Sequence, residues 1–385
     1  MNRGVALLIL LLASRVGAEG LADSGVLDRP RAFQIESARL RFTWFDQQGH
    51  GFQSLAGGPA LGPGSEELWV AEPQLEIVAK QGDRITHRLW IPVDVVSAAS
   101  PDAIDAVSTA SRYQEAGTVD IASTYKVTKV DELSSRVAVH LEENFRSWSV
   151  GLGWTRHLAD DNAVVQVSAN QAVDWFDAYL LGGANRERVG RSTTNLNFGL
   201  TQILSPTTVG VLNYGLTIQT GELGNTWNTV PLVDGTHGQE QLPRFRHRHA
   251  LVGRLVQALP WRGALKLSYR FYADTWGAMA QTIELFLYQR ITRFLYIRGT
   301  YRAHLQKGVD FWTELAPVGD VYIHSYRTAD SDLQTFDAHA FGAKLALDLP
   351  LRRVRNFGLD LAYERYIRSN DLTVNTYSCS LGFQF

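Results

Sequence analysis

Three observations predict an all-β fold, an antiparallel up-and-down β-barrel that crosses a membrane. Stretches of about ten residues alternate apolar with polar side chains along nearly the whole chain, helical 3.6-residue periodicity is almost absent, and the polar side of the stretches carries full charges. Strand side chains point to opposite faces with period two, so each stretch has one face suited to an apolar medium and one suited to water. Counting the stretches gives about 16 strands, with about 14 or 12 as alternatives; an even number returns the last strand to the end where the first began. A soluble β-sandwich or propeller is the competing class. It would leave the leucine faces uncovered, at about 25 cal/mol per Å² of exposed apolar surface.

The chain opens "MNRGVALLILLLASRVGAEG", with Arg3 ahead of an apolar run from Val5 to Ala13 and small residues around Val16 and Ala18. This layout predicts a secretory signal peptide over 1–18, a periplasmic segment over 19–32 and a barrel over 33–385. The apolar run is too short for a membrane helix, and no later stretch reaches the roughly 20 apolar residues that such a helix needs. Export with a single cysteine leaves no internal disulfide framework.

The first strand is expected near Arg39 to Phe45. In "WSVGLGWT", Trp148, Val150, Leu152 and Trp154 oppose Ser149, Gly151, Gly153 and Thr155. "STTNLNFGLTQIL" sets Leu196, Phe198 and Leu200 against Asn195, Asn197 and Thr201. "ALKLSYRFYAD" sets Leu265, Leu267, Tyr269 and Phe271 against Lys266, Ser268, Arg270, Tyr272 and Asp274. "FGLDLAYERY" does the same with Phe357, Leu359, Leu361 and Tyr363 against Asp360, Glu364 and Tyr366. The terminal "NTYSCSLGFQF" places Tyr377, Cys379, Leu381, Phe383 and Phe385 on one face, and this strand is expected to close the barrel against the first. Tyr377, Leu381, Phe383 and Phe385 together read as a membrane-insertion signal for the outer-membrane assembly machinery.

Connections sort into two kinds. Tight ones fall at 81–83, 129–132, 159–162, 205–207, 260–263, 292–294 and 351–356, and between them lie longer ones at 47–64, 97–117, 181–190, 221–243 and 308–331. Shorter connections around Asn144, Thr275 and Asn370 occupy the same alternate positions. Short turns at one end and long loops at the other predict periplasmic turns and extracellular loops.

Three segments then carry a family resemblance: "DVVSAASP" (94–101), "EQLPRFRHRHA" (240–250) and "YRFYADTWG" (269–277). They resemble blocks of a family of predicted Gram-negative outer-membrane β-barrel proteins known as a domain of unknown function. The resemblance implies a barrel in the cell outer membrane and assigns no catalytic residue.

By parity the interior receives the charged side chains. The pore-lining candidates are Arg244, Arg246, Arg248, Arg254, Lys266, Arg270, Asp274, Glu284, Arg298 and Arg302, with Arg39, Arg41, Glu72, Glu76, Arg88 and Asp94 from the first strands and His304, Lys344, Asp348, Asp360 and Glu364 from the last. Arg244, Arg246 and Arg248 alternate in "RFRHRHA", so all three are expected on one face near the extracellular rim, as a ladder that attracts anions or as charges neutralised by Asp274. His247 and His249 fall on the opposite face. Neither they nor His237 have metal-ligand spacing, and no metal or cofactor is expected. G-x-S-x-G, H-E-x-x-H, P-loop and dinucleotide motifs are absent, and the acidic balance disfavours nucleic acid. The sequence thus points to a channel or transport-related pore in outer-membrane lipid. A non-conducting barrel acting as a scaffold for a periplasmic or surface partner is the alternative, and a rim hydrolase is third.

Overall fold

The computed structural model describes residues 33–49, 67–97, 113–179, 185–224, 229–318, 326–351 and 354–385. The expected signal peptide and periplasmic segment, with most of the loops expected at 47–64 and 97–117, lie outside the described residues.

Alternation becomes pairing in the order that the sequence presents it. The first nine strands are β1 (Gln34–Gly49), β2 (Leu68–Gln81), β3 (Ile85–Ser97), β4 (Tyr113–Lys126), β5 (Asp131–Glu142), β6 (Phe145–Leu158), β7 (Ala163–Tyr179), β8 (Asn185–Ser205) and β9 (Thr208–Gly221). A small hairpin follows, β10 (Thr229–Pro231) with β11 (His237–Gln239). The barrel resumes with β12 (Phe245–Leu259), β13 (Gly263–Asp274), β14 (Met279–Arg290), β15 (Leu295–Lys307), β16 (Phe336–Leu349), β17 (Asn356–Arg368) and β18 (Leu372–Gln384). All strands except β10 and β11 form one closed barrel of sixteen antiparallel strands, with β9 paired to β12 and β18 paired back to β1. Closure gives every edge strand a partner, which a lipid environment requires because it offers no water to unpaired N–H and C=O groups.

Parity follows the expected register. Leu267 is 44% exposed and Ser268, one residue on, 3%. Leu152, Leu196, Phe198, Leu361, Tyr363, Tyr377, Leu381 and Phe385 are likewise exposed on the outer face. Among the described residues, no helix is long and apolar enough to cross a membrane, and the one helical piece is a 3-10 turn at Ser331–Leu333. Tight turns cluster at one barrel end; "ADDN" closes β6 to β7 with Ala159, Asp160 and Asp161 all left-handed, at φ 51°, 53° and 67°.

Two features depart from the expected loops. The connection expected at 181–190 is shorter, because β8 begins at Asn185 and its ladder with β7 continues through Arg188↔Asp177 and Arg191↔Asp174, both opposite-charge pairs. The connections at 221–243 and 308–331 are not free loops. They join through the bridges Leu232↔Ala316 and Gln241↔Arg327 into a cap at the long-loop end.

Candidate functional site in the barrel interior

The interior is built upward from cross-strand neighbours. On β1 to β5 the two signs of charge alternate and pair: Arg88 Nε lies 2.9 Å from Glu76, Arg136 Nη2 lies 2.5 Å from Asp120, and Arg39 stands opposite Glu76 in register. From β6 to β9 the lining is small and mostly uncharged, with Asn170, Asn195, Asn197 and Asn213 among serines and glycines. The alternation in "NLNFG" places Asn195 and Asn197 on this polar face, whereas Asn170 and Asn213, which complete the strip across β7 and β9, were not singled out from sequence.

The wall formed by β12 to β15 is different. Arg246 and Arg302 have acidic partners, at Asp274 (Nη2 to Oδ2, 2.5 Å) and Glu284 (Nε to Oε1, 2.8 Å). Arg248, Arg254, Lys266, Arg270 and Arg298 have no ion pair among the described residues. The Nε atoms of Arg248, Arg254 and Arg298 are buried without any hydrogen bond. Lys266 and Arg298 instead approach the ring of Phe286, at 4.3 and 5.6 Å, an inward aromatic that polarity alone does not anticipate. Lys344 bonds Asp360 at 2.8 Å, and Asp360 also accepts from Ser380.

The three alternating arginines of "RFRHRHA" do three different things. Arg244 precedes β12; its side chain is 73% exposed and lies 3.8 Å from Glu222 at the rim. Arg246 is buried: it bonds Asp274 and stacks 4.1 Å above Trp276. Arg248 projects into the interior without an acidic partner, although Asp274 stands opposite it in register, because that carboxylate is already occupied. Its Oδ2 accepts from Arg246 and the Tyr272 hydroxyl, and its Oδ1 accepts from the amides of Trp276 and Ala278. The tight turn needs Gly277, at φ +85°, where a Cβ would strike the Asp310 carboxylate. His249 bonds Tyr214 on the outer face, and among the described residues no group of three or more His, Cys, Asp or Glu gathers to hold a metal.

Two cavities follow. At the mouth, Glu142, Phe145, Phe176, Arg191, Arg248 and Trp276 of the wall face Leu223, Glu240, Leu242, Asp330 and Leu333 of the cap around about 550 Å³. Deeper, Arg254, Arg270, Arg302, Glu284, His304 and Tyr366 line about 450 Å³ together with Val252, Ser268 and Thr282.

The profile of a family described as "Protein of unknown function (DUF3570)" matches residues 113–377. The chain belongs to that family. Two of its three expected blocks, 240–250 and 269–277, lie inside the matched stretch and meet in the Arg246–Asp274–Trp276 cluster; the block at 94–101 lies outside it. Among curated proteins none matches. Similar solved structures include a bacterial polysaccharide outer membrane secretin (8% identity, 90% of this chain and 98% of that chain, TM-score 0.46). A Pseudomonas aeruginosa FadL homologue is 10% identical over 91% of each chain, with TM-score 0.46. A BenF-like porin from Pseudomonas fluorescens Pf-5 is 7% identical over 91% of this chain and 99% of that one, also at 0.46.

Proposed function

We propose that this protein is an outer-membrane channel whose interior favours anions. The observation that carries the reading is the group of cations on β12 to β15, Arg248, Arg254, Lys266, Arg270 and Arg298, which lack the acidic partners supplied to arginines elsewhere in the barrel. A guanidinium taken out of water without a counter-charge is costly, so such a wall is sustained by water and by passing anions. In this reading the N-terminal leader is removed on export, the assembly machinery recognises the aromatic face of β18, and the short turns end in the periplasm.

Reversal potential under a KCl gradient in planar bilayers tests the reading. Chloride preference is expected at low salt and should shrink toward 1 M, where the Debye length is about 3 Å. Absence of conductance would favour the second reading, a scaffold for a periplasmic or surface partner. The packed Arg246–Asp274–Tyr272 cluster and the cap at the mouth are the observations on its side.

A further inference from the structure

Resting on the channel reading, we infer that the deeper interior cavity is a saturable binding site for a small dianion, either a dicarboxylate or a phosphate monoester. Its lining comes from two adjacent rows of the wall. One row runs Arg254, Ser268, Glu284 and Arg302 across β12 to β15, and the next runs Val252, Arg270, Thr282 and His304. Tyr366 of β17 joins them in the lining.

Three guanidinium groups face one carboxylate, and that carboxylate is held by Arg302 through Nε at 2.8 Å. Arg254 and Arg270 are therefore left with two positive charges and no acidic partner among the described residues, and the Arg254 Nε is buried with no hydrogen bond. A ligand of charge minus two balances this site, and a planar guanidinium fork matches the paired oxygens of a carboxylate or phosphate. Ser268, Thr282 and Tyr366 add hydroxyls to the same lining, while Thr282 also bonds His304 Nδ1 at 2.8 Å and so fixes that ring. A volume of about 450 Å³ suits a small metabolite-sized anion. On the opposite wall a partner closes the corresponding gap, since Arg88 has Glu76 and Arg136 has Asp120. The absence of such a partner beside Arg254 and Arg270 is what distinguishes a ligand site from structural pairing.

Titration calorimetry on the full chain refolded in nanodiscs tests the site, with succinate, inorganic phosphate, chloride and glucose as probes. At low ionic strength, succinate or phosphate should saturate with one-site behaviour, chloride should bind far more weakly, and glucose should not bind. The tighter of the two dianions identifies the chemistry. Arg254→Gln combined with Arg270→Gln should weaken binding about tenfold or more. Lys129→Gln, which removes one charge in an exposed turn, should leave it unchanged. Should the double variant fail to fold, Arg270→Lys serves, because it keeps the charge, loses the fork and should weaken binding by a smaller factor. A non-saturating response, equal binding of chloride, or full affinity in either folded arginine variant would overturn the site. Anion-selective conductance without saturable binding would sink the site and leave the channel standing. Saturable binding without conductance would do the reverse.

Discussion

The Asp274 carboxylate receives five hydrogen bonds from four residues, and it is the only acidic partner of the buried Arg246 side chain among the described residues. Asp274→Asn leaves that guanidinium buried and unpaired, and it should destabilise the folded protein by roughly 3–5 kcal/mol. Arg244→Gln, two residues before Arg246 but mostly solvated, should cost less than about 1 kcal/mol. Urea unfolding followed by tryptophan fluorescence separates the two, and equal costs would refute the division of labour among the three arginines. On the outer face, Leu267→Arg should destabilise by roughly 2–4 kcal/mol if Leu267 sits near the bilayer midplane. Acid should affect the cap locally. The Thr236 hydroxyl and amide hydrogen-bond the Asp234 carboxylate and hold its pKa below the usual value. Because the folded pKa is depressed, the contribution is full above the unfolded pKa and is lost as pH falls through the folded one. The protection factor of the Thr236 amide, its exchange rate set against the intrinsic rate at each pH, should fall over that acidic range, and Thr236→Val should remove most of the dependence. At this scale the sequence identified which residues carry charge and on which side, because alternation reveals parity. Which of Arg244, Arg246 and Arg248 would be paired was illegible, since the answer depends on the turn beyond Asp274 that delivers two amides to the same carboxylate.

The closing strand shows what alternation reveals about whole elements. β18 pairs with β1 through Leu40↔Leu381, Phe42↔Cys379 and Trp44↔Tyr377, and the Phe385 amide donates to the Glu36 carbonyl at 2.9 Å, one step beyond the strand. Phe385 is exposed on the outer face, so its deletion removes an aromatic from that face as well as the last rung of the seam. Outer-membrane abundance should fall and periplasmic degradation should rise, whereas Gln384→Ala should do little; immunoblots of fractionated cells measure both. Equal assembly of the two variants would count against a recognition role for the terminal aromatics. Strand number, closure and the alternation of short turns with longer connections were all legible, because each is a local consequence of period-two patterning and turn chemistry. The β7–β8 extension and the cap were not. The cap is held by contacts between residues far apart in sequence, such as Thr328 Oγ1 to Glu240 at 2.5 Å and the backbone pair Gln241 and Arg327, and no pattern within either segment encodes the other.

For the whole molecule, the question is what the cap does to the passage beneath it. Its deeper edge is the 3-10 turn at Ser331–Leu333, and Arg368 at the end of β17 clamps that turn through the Ser331 carbonyl (2.5 Å) and Asp332 (2.7 Å). The same guanidinium stacks 4.0 Å above Phe336, and Asn370 bonds the Ser331 carbonyl and Gln334. Trp312 Nε1 donates to the Asp330 carbonyl, and the Trp276–Val309 cluster packs the other side of the loop. Arg368 thus joins the barrel wall to the turn beside Asn370 and the β15 side chain Gln306, which donates to the Asp332 and Gln334 carbonyls, while β17 remains held by full ladders with β16 and β18. Arg368→Gln should loosen the turn and leave the barrel closed. If the interior conducts, the variant should show larger or noisier single-channel currents than the wild type, together with faster proteolysis between 308 and 335 on intact cells. Faster proteolysis without any current in either protein would mean that the cap covers a closed interior, and the scaffold would then be the better reading. Unchanged proteolysis and unchanged current would show that Arg368 is not the clamp and that the Gln306 and Asn370 bonds with the Trp276 cluster hold the cap without it.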